Sequence, residues 1–168
     1  MDDIGAVALR FLILTASRTK PVRYAKWDEF DLDKSRWTVP SFNMKNDKEF
    51  RCSLSKQAVE LIKGIEPLDD YVFTSGAMKR LGKPLSDGGI SSVLRRMNHR
   101  HITVHGFRST FRGYIGEETN LVTQVAEYAL AHQVGTKSEQ AYARKDMEKK
   151  RLDMMNVWGD YLTGQQTC

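Results

Sequence analysis

The chain has 168 residues, 40% hydrophobic and 28% charged, which is the composition of an ordinary globular domain able to bury a core of its own. A net charge of +5 and a pI near 9.2 suit a polyanionic partner, and nucleic acid is the commonest one. Two cysteines, Cys52 and Cys168, form neither a disulfide framework nor a metal-ligand pattern, and no apolar run reaches the length of a membrane span. There is no signal-peptide pattern, so a reducing cytoplasm is the simplest compartment. Met1-Asp2-Asp3 leads straight into a helical pattern, as it would in a piece cut from a longer protein.

Asp2 or Asp3 can cap a first helix whose apolar side carries Ile4, Val7, Ala8, Phe11, Leu12 and Leu14. Thr15-Ala16-Ser17-Arg18 ends it. Pro21 cannot continue a helix interior, so Arg18 stands at a turn or a new helix start. Residues 27–33 read as a turn-rich connector. Residues 36–40 and 49–54 read as the two strands of a hairpin, with the polar segment 43–48 as its loop. Ser55 can cap a helix with Ala58, Leu61 and Ile62 on one side. Tyr71-Val72-Phe73 is a short apolar run suited to burial, and 74–85 is a loop holding Met78-Lys79-Arg80 and Lys83. Ser86 is expected to cap the next helix, with Ile90, Val93, Leu94 and Met97 inward and Arg95, Arg96 and Arg100 forming a basic face. Asn120 is expected to open an apolar helix (Leu121, Val125, Tyr128, Ala129) that delivers His132 near its end. A last helix is expected from Asp146 to about Leu162, with Leu152, Met155, Trp158, Tyr161 and Leu162 on its apolar side. A frayed tail follows from Gly164.

The stretch 105–144 carries the chemistry. His105-Gly106-Phe107-Arg108, then Leu130-Ala131-His132, then Ala141-Tyr142-Ala143-Arg144 offer a cation, two imidazoles and a phenol. Residues three apart on a helix share a face, so His105 and Arg108 can address one spot. A cation neutralises developing charge, an imidazole donates or relays protons, and a phenol can attack phosphorus. Each residue alone is an ordinary helix-face or packing residue; the order and spacing together are informative.

That order and spacing closely resemble the active-site signature of the tyrosine recombinase (phage integrase) family, and most of all the integrases of prophages and genomic islands. The resemblance runs from the first helix to Leu162 and covers the catalytic half of such enzymes. It implies an α+β fold that is mainly α-helical, with a small antiparallel β-hairpin or sheet. It implies a catalytic domain over residues 1–164 and a disordered tail over 165–168. The implied catalytic set is Arg18, Lys45, His105, Arg108, His132 and Tyr142, with Lys48 as the alternative hairpin lysine. The family motif has a glycine where Ala16 stands, and a carboxylate three residues after the arginine, where this chain has Pro21.

In the implied reaction Tyr142 attacks a DNA phosphodiester, giving a 3′-phosphotyrosine and a free 5′-hydroxyl, and the strands are then exchanged and rejoined. Arg18 and Arg108 would fork onto the non-bridging oxygens. Lys45 would protonate the 5′-oxygen, His105 would accept the phenol proton, and His132 would donate to a non-bridging oxygen. No cofactor and no metal are implied. The partner is double-stranded DNA. The full-length enzyme would act as a homotetramer on DNA, in the bacterial cytoplasm and at the nucleoid, whereas the isolated domain would be monomeric or weakly associating. Three alternatives remain open on sequence alone: a type IB topoisomerase-like enzyme, a DNA-binding module that has lost catalysis, and a helical RNA-binding or interaction domain.

Overall fold

Asp3 caps the first helix, α1 (Ile4–Thr15), and its carboxylate accepts the Gly5 amide at 2.9 Å. The computed structural model describes residues 3–74, 82–132 and 144–165. The apolar periodicity of α1 puts Val7, Ala8, Phe11 and Leu12 into the core. A short helix, α2 (Thr19–Arg23), follows at once with Arg18 at its N-cap. Pro21 lies in the first turn of α2 and is buried. The first four amides of a helix have no intrahelical acceptor, so the missing N–H of proline costs nothing there.

The expected hairpin is present. Strand β2 (Arg36–Val39) pairs antiparallel with β3 (Phe50–Ser53), in the register Trp37 opposite Cys52 and Val39 opposite Phe50. The connector 27–33 holds more structure than its turn residues suggested. It forms a 3-10 turn (Trp27–Glu29) and a two-residue strand, β1 (Phe30–Asp31), which completes a three-stranded sheet in the order β1-β2-β3. The reason is aromatic. Phe30 stacks on Trp37 at 5.6 Å between ring centroids, and the Trp37 indole donates to the Glu29 carboxylate at 2.9 Å. Phe11 of α1 meets Trp37 edge-on at 5.2 Å and Phe73 at 5.4 Å. Burying each of these rings stabilises the fold by about 1.5–3 kcal/mol. Val72 and Phe73 are buried as their run suggested.

Ser55 caps α3 (Lys56–Lys63), accepting the Ala58 amide at 3.2 Å. The next helix starts later than expected. Ser86 instead accepts the Gly89 amide in a turn, and α4 spans Ser91–Arg96. Two consecutive glycines, Gly88 and Gly89, favour that turn over a helical start. Met97, expected inward, is 58% exposed. Helix α5 (Gly106–Glu118) is followed by α6 (Thr123–Ala129), whose N-cap is Val122 rather than Asn120. Thr119 takes over this junction: its hydroxyl donates to the Ile115 carbonyl and accepts the Leu121 amide. Helix α7 (Arg144–Thr163) starts two residues before Asp146. Its buried side is built on Met154, Met155 and Trp158; Tyr161 and Leu162 are exposed, and Tyr161 stacks on Tyr114 at 4.1 Å.

Two apolar clusters result among the described residues. The larger joins α1, α2, the sheet, α3 and α4. The smaller joins α5, α6 and α7 around Phe111, Ile115 and Trp158, and reaches α1 through Ala16. The Trp158 indole donates to the Ile13 carbonyl at 2.9 Å, tying α7 to α1. The seam between the clusters is where Arg108 sits. No described helix is long and apolar enough to cross a membrane. The tail expected over 165–168 falls, after Gln165, outside the described residues.

Candidate active site

Arg108 lies in the first turn of α5 and is 6% exposed. Its guanidinium reaches back between two helix ends. Nη1 donates to the Ala16 carbonyl beyond α1 at 2.6 Å, and Nη2 donates to the Leu130 carbonyl beyond α6 at 2.8 Å. Nη2 also faces His132 Nε2 at 3.3 Å. A guanidinium has five N–H donors, so Nε–H and the second Nη1–H have no protein acceptor among the described residues. No described carboxylate lies within ion-pair distance of it. Burial, reinforced by the positive charge of Arg18, pulls its pKa down to about 10, which leaves it cationic at neutral pH.

Both helix ends share one backbone device. Past α1, Ala16 takes the left-handed conformation (φ 48°) and the Ser17 amide donates back to Leu12 at 3.2 Å. Past α6, Ala131 does the same (φ 56°) and the His132 amide donates back to Glu127 at 2.9 Å. This closure uses the terminal carbonyls unevenly and leaves those of Ala16 and Leu130 available to Arg108.

Arg18 and Arg108 line one small cleft together with Ser17, Pro21, Met44 and Leu130. Among the described residues Arg18 has no hydrogen-bond or ion-pair partner. Pro21, where the family motif has a carboxylate, is part of the cleft wall. Met44 is buried in that wall, and Lys45, the next residue, is exposed in the turn between β2 and β3. Lys48 is exposed further along the same connection.

His132 is half-exposed just past α6. Its Nδ1 meets Glu127 Oε2 at 2.6 Å, and the other carboxylate oxygen of Glu127 pairs with Arg112 of α5. The hydrogen bond to His132, then that to Arg112, holds the Glu127 carboxyl below the usual carboxylate range. His105 precedes α5, exposed and with no hydrogen-bond partner for its ring among the described residues. Tyr142 lies outside the described residues, as do Met78, Lys79 and Arg80 of the basic loop and Cys168.

The structure thus brings Arg18 and Arg108 to one cleft, sets His132 against Arg108, and makes Lys45 the neighbour in sequence of Met44 in the cleft wall. Sequence reasoning missed Glu127 and Arg112. They sit on separate helices, and Glu127 is five residues before His132, a spacing that faces it only because Ala131 turns the chain left-handed. Cys52 is buried near Arg108 and Arg151, and burial pushes its thiol up to about 12, so it stays protonated and inert.

The family model described as the phage integrase family matches residues 5–149. The chain is 30% identical over 174 residues to the integrase of Enterobacteria phage P4, covering 93% of this chain and 39% of that protein. It is 32% identical over 154 residues to the prophage integrase IntZ of Escherichia coli strain K12, covering 91% and 38%. The chain therefore spans about two fifths of the length of these relatives. The crystal structure of XerA recombinase superposes with a TM-score of 0.54 at 13% identity, covering all of this chain and 64% of that one, which shows a shared fold.

Proposed function

The chain belongs to the phage integrase family, and on that premise we propose that residues 1–164 are the catalytic domain of a site-specific DNA recombinase. The observation that carries the reading is Arg108: a buried guanidinium, cationic at neutral pH, held by two carbonyls and without a carboxylate contact among the described residues. A structural arginine buried to this degree is normally neutralised by an acid, because an unpaired buried charge is costly. A cation kept rigid, with N–H donors to spare, is suited to an anion that arrives from outside. A phosphodiester has that charge and geometry.

Arg108 and Arg18 bind the two non-bridging oxygens, whose charge grows as phosphorus becomes five-coordinate. Tyr142 attacks, with His105 accepting its proton. Lys45 protonates the leaving 5′-oxygen, and His132 donates to a non-bridging oxygen. The products are a 3′-phosphotyrosine and a 5′-hydroxyl. The ester is exchanged rather than hydrolysed, so its energy is kept for rejoining. Double-stranded DNA is the substrate; a homotetramer on two sites in the bacterial cytoplasm is the acting form of the longer protein. By itself the chain should bind DNA weakly and lose affinity steeply with salt, since phosphate contacts dominate.

A nicked suicide DNA substrate tests this. The wild-type chain should form a covalent protein–DNA adduct, and Tyr142→Phe should form none while binding DNA as before. An adduct of normal yield from Tyr142→Phe removes Tyr142 from the mechanism, and no adduct from the wild type leaves a DNA-binding module. Lys45 has its own test. Replacing the 5′-bridging oxygen with sulfur makes a leaving group that needs no proton. Lys45→Ala should be about 10²-fold slow or worse on normal DNA and near wild type on the thio-substrate. Equal defects on both would demote Lys45 to phosphate binding, and rescue of Lys48→Ala with Lys45→Ala silent would move the role to Lys48.

A further inference from the structure

Glu127 grips His132 twice. The Glu127 carbonyl accepts the His132 amide at 2.9 Å, and its carboxylate meets the ring Nδ1 at 2.6 Å. The backbone contact fixes where the residue stands, and the side-chain contact fixes how the ring is turned. The other ring nitrogen, Nε2, thereby faces Arg108 Nη2, 3.3 Å away, and Arg108 lines the cleft it shares with Arg18.

We propose that Glu127 is a positioning residue that decides which nitrogen of His132 is presented to the anion in the cleft. The inference rests on the reading of that cleft as the phosphate site. A carboxylate accepts only, so the proton of a neutral ring must sit on Nδ1 to satisfy Glu127. Nε2 is then bare, and it accepts from Arg108 while the cleft is without phosphate. To donate to an anionic oxygen that takes Arg108, the ring must carry a second proton, taken from solvent, on that same nitrogen. Nδ1 still donates to Glu127 in that state, so the ring keeps its orientation. The groups that face the ring are Glu127 from its own helix and Arg108 from α5, with Arg112 on the far side of Glu127. Arg112 braces Glu127 and touches neither His132 nor the cleft.

The test has two readouts on the same variants. Long-range ¹H–¹⁵N spectra of His132, assigned with His132→Gln, report which ring nitrogen carries the proton. Single-turnover cleavage of the nicked suicide substrate reports the chemistry. The wild type should show Nδ1 protonated and Nε2 bare. Glu127→Ala should move the proton to Nε2 and slow cleavage by about 10–100-fold, the usual cost of losing the outer partner of a functional imidazole. Glu127→Gln keeps an acceptor oxygen without the charge; it should keep the tautomer and show a smaller loss. Arg112→Met, which cuts the brace and spares the ring, should slow cleavage less than about threefold. An unchanged tautomer in Glu127→Ala overturns the proposal, and so does an Arg112→Met defect as large as that of Glu127→Ala, which would mark a purely structural role. Failure of the wild type to form an adduct would sink the recombinase reading instead, and the ring spectra would still decide the part played by Glu127.

Discussion

Among the described residues four helices end by the same six-residue closure, and they divide into two pairs. Helices α4 and α7, away from the cleft, place Asn98 (φ 62°) and Gly164 (φ 69°) at the left-handed position. These are the residue types that adopt it most readily. Helices α1 and α6, which flank Arg108, place Ala16 (φ 48°) and Ala131 (φ 56°) there, at a cost of roughly 1–2 kcal/mol each. The difference teaches where the fold tolerates strain. Each alanine is held by what its turn supplies: a carbonyl, from Ala16 itself or from the neighbouring Leu130, that Arg108 takes as a hydrogen bond. Strain gathered at one site and absent from equivalent ends elsewhere is a mark of function.

Arg108→Ala should break the comparison most severely. It removes the donor that justifies both turns and leaves two buried carbonyls without it, at about 1–3 kcal/mol each. On the proposed mechanism it also removes one preorganised donor to the developing charge, worth about 2.7–4 kcal/mol of barrier. Adduct formation should fall by about 10²–10³-fold, and thermal denaturation should show a lower midpoint. Cleavage within tenfold of wild type would show that another group carries the charge.

Backbone substitutions sharpen the same comparison at smaller scale. Gly164→Ala meets nothing within 4 Å, so its cost of about 1 kcal/mol would be conformational alone. Ala131→Gly should gain about that much, because the Ala131 methyl is only partly buried. Ala16→Gly should gain less: Ala16 is 1% exposed, and losing its buried methyl costs about 0.8 kcal/mol against the relief. Urea unfolding should rank Ala131→Gly the most stable of the three, Ala16→Gly next and Gly164→Ala last. Destabilisation of Ala131→Gly would show that the turn is not under strain.

The smallest effect is in pH. The Glu127 carboxyl is depressed in the folded chain, so its contribution is present above its unfolded pKa and is lost as pH falls through the folded value. The pairs it makes are partly exposed, and less than about 1 kcal/mol is expected. Glu127→Gln should flatten the acid side of the stability curve by that amount, measured as denaturation midpoint against pH.

What could be seen in the residues alone follows the range of the interactions. The Ser55 cap and the β2–β3 hairpin depend on neighbours in sequence, and local pattern suffices for them. So does the break after Thr15, because Pro21 punctuates the chain. Strand β1 was hidden, since two residues make no pattern and Phe30 is placed by its contacts with Trp37 and Phe11. The Ser86 start failed because two glycines turned the chain first. At the site, the resemblance supplied Arg18, Arg108 and His132, whose meeting depends on contacts 22 to 92 residues apart. Glu127 stayed invisible because its approach to His132 depends on one left-handed alanine.

The two carbonyls on Arg108 have a further consequence. Each belongs to the C-terminal end of a helix, where aligned peptide dipoles leave about half a negative charge. Helices α1 and α6 therefore both point their negative poles at the same guanidinium. These poles anchor the cation as an acid would, but they differ from an acid in a way that matters. A carboxylate can swing away, take a proton or compete for the incoming anion; a helix pole is fixed and cannot titrate. The guanidinium is thus tethered without its charge being cancelled, and the grip should hold its strength across the pH range in which a counter-ion would fade.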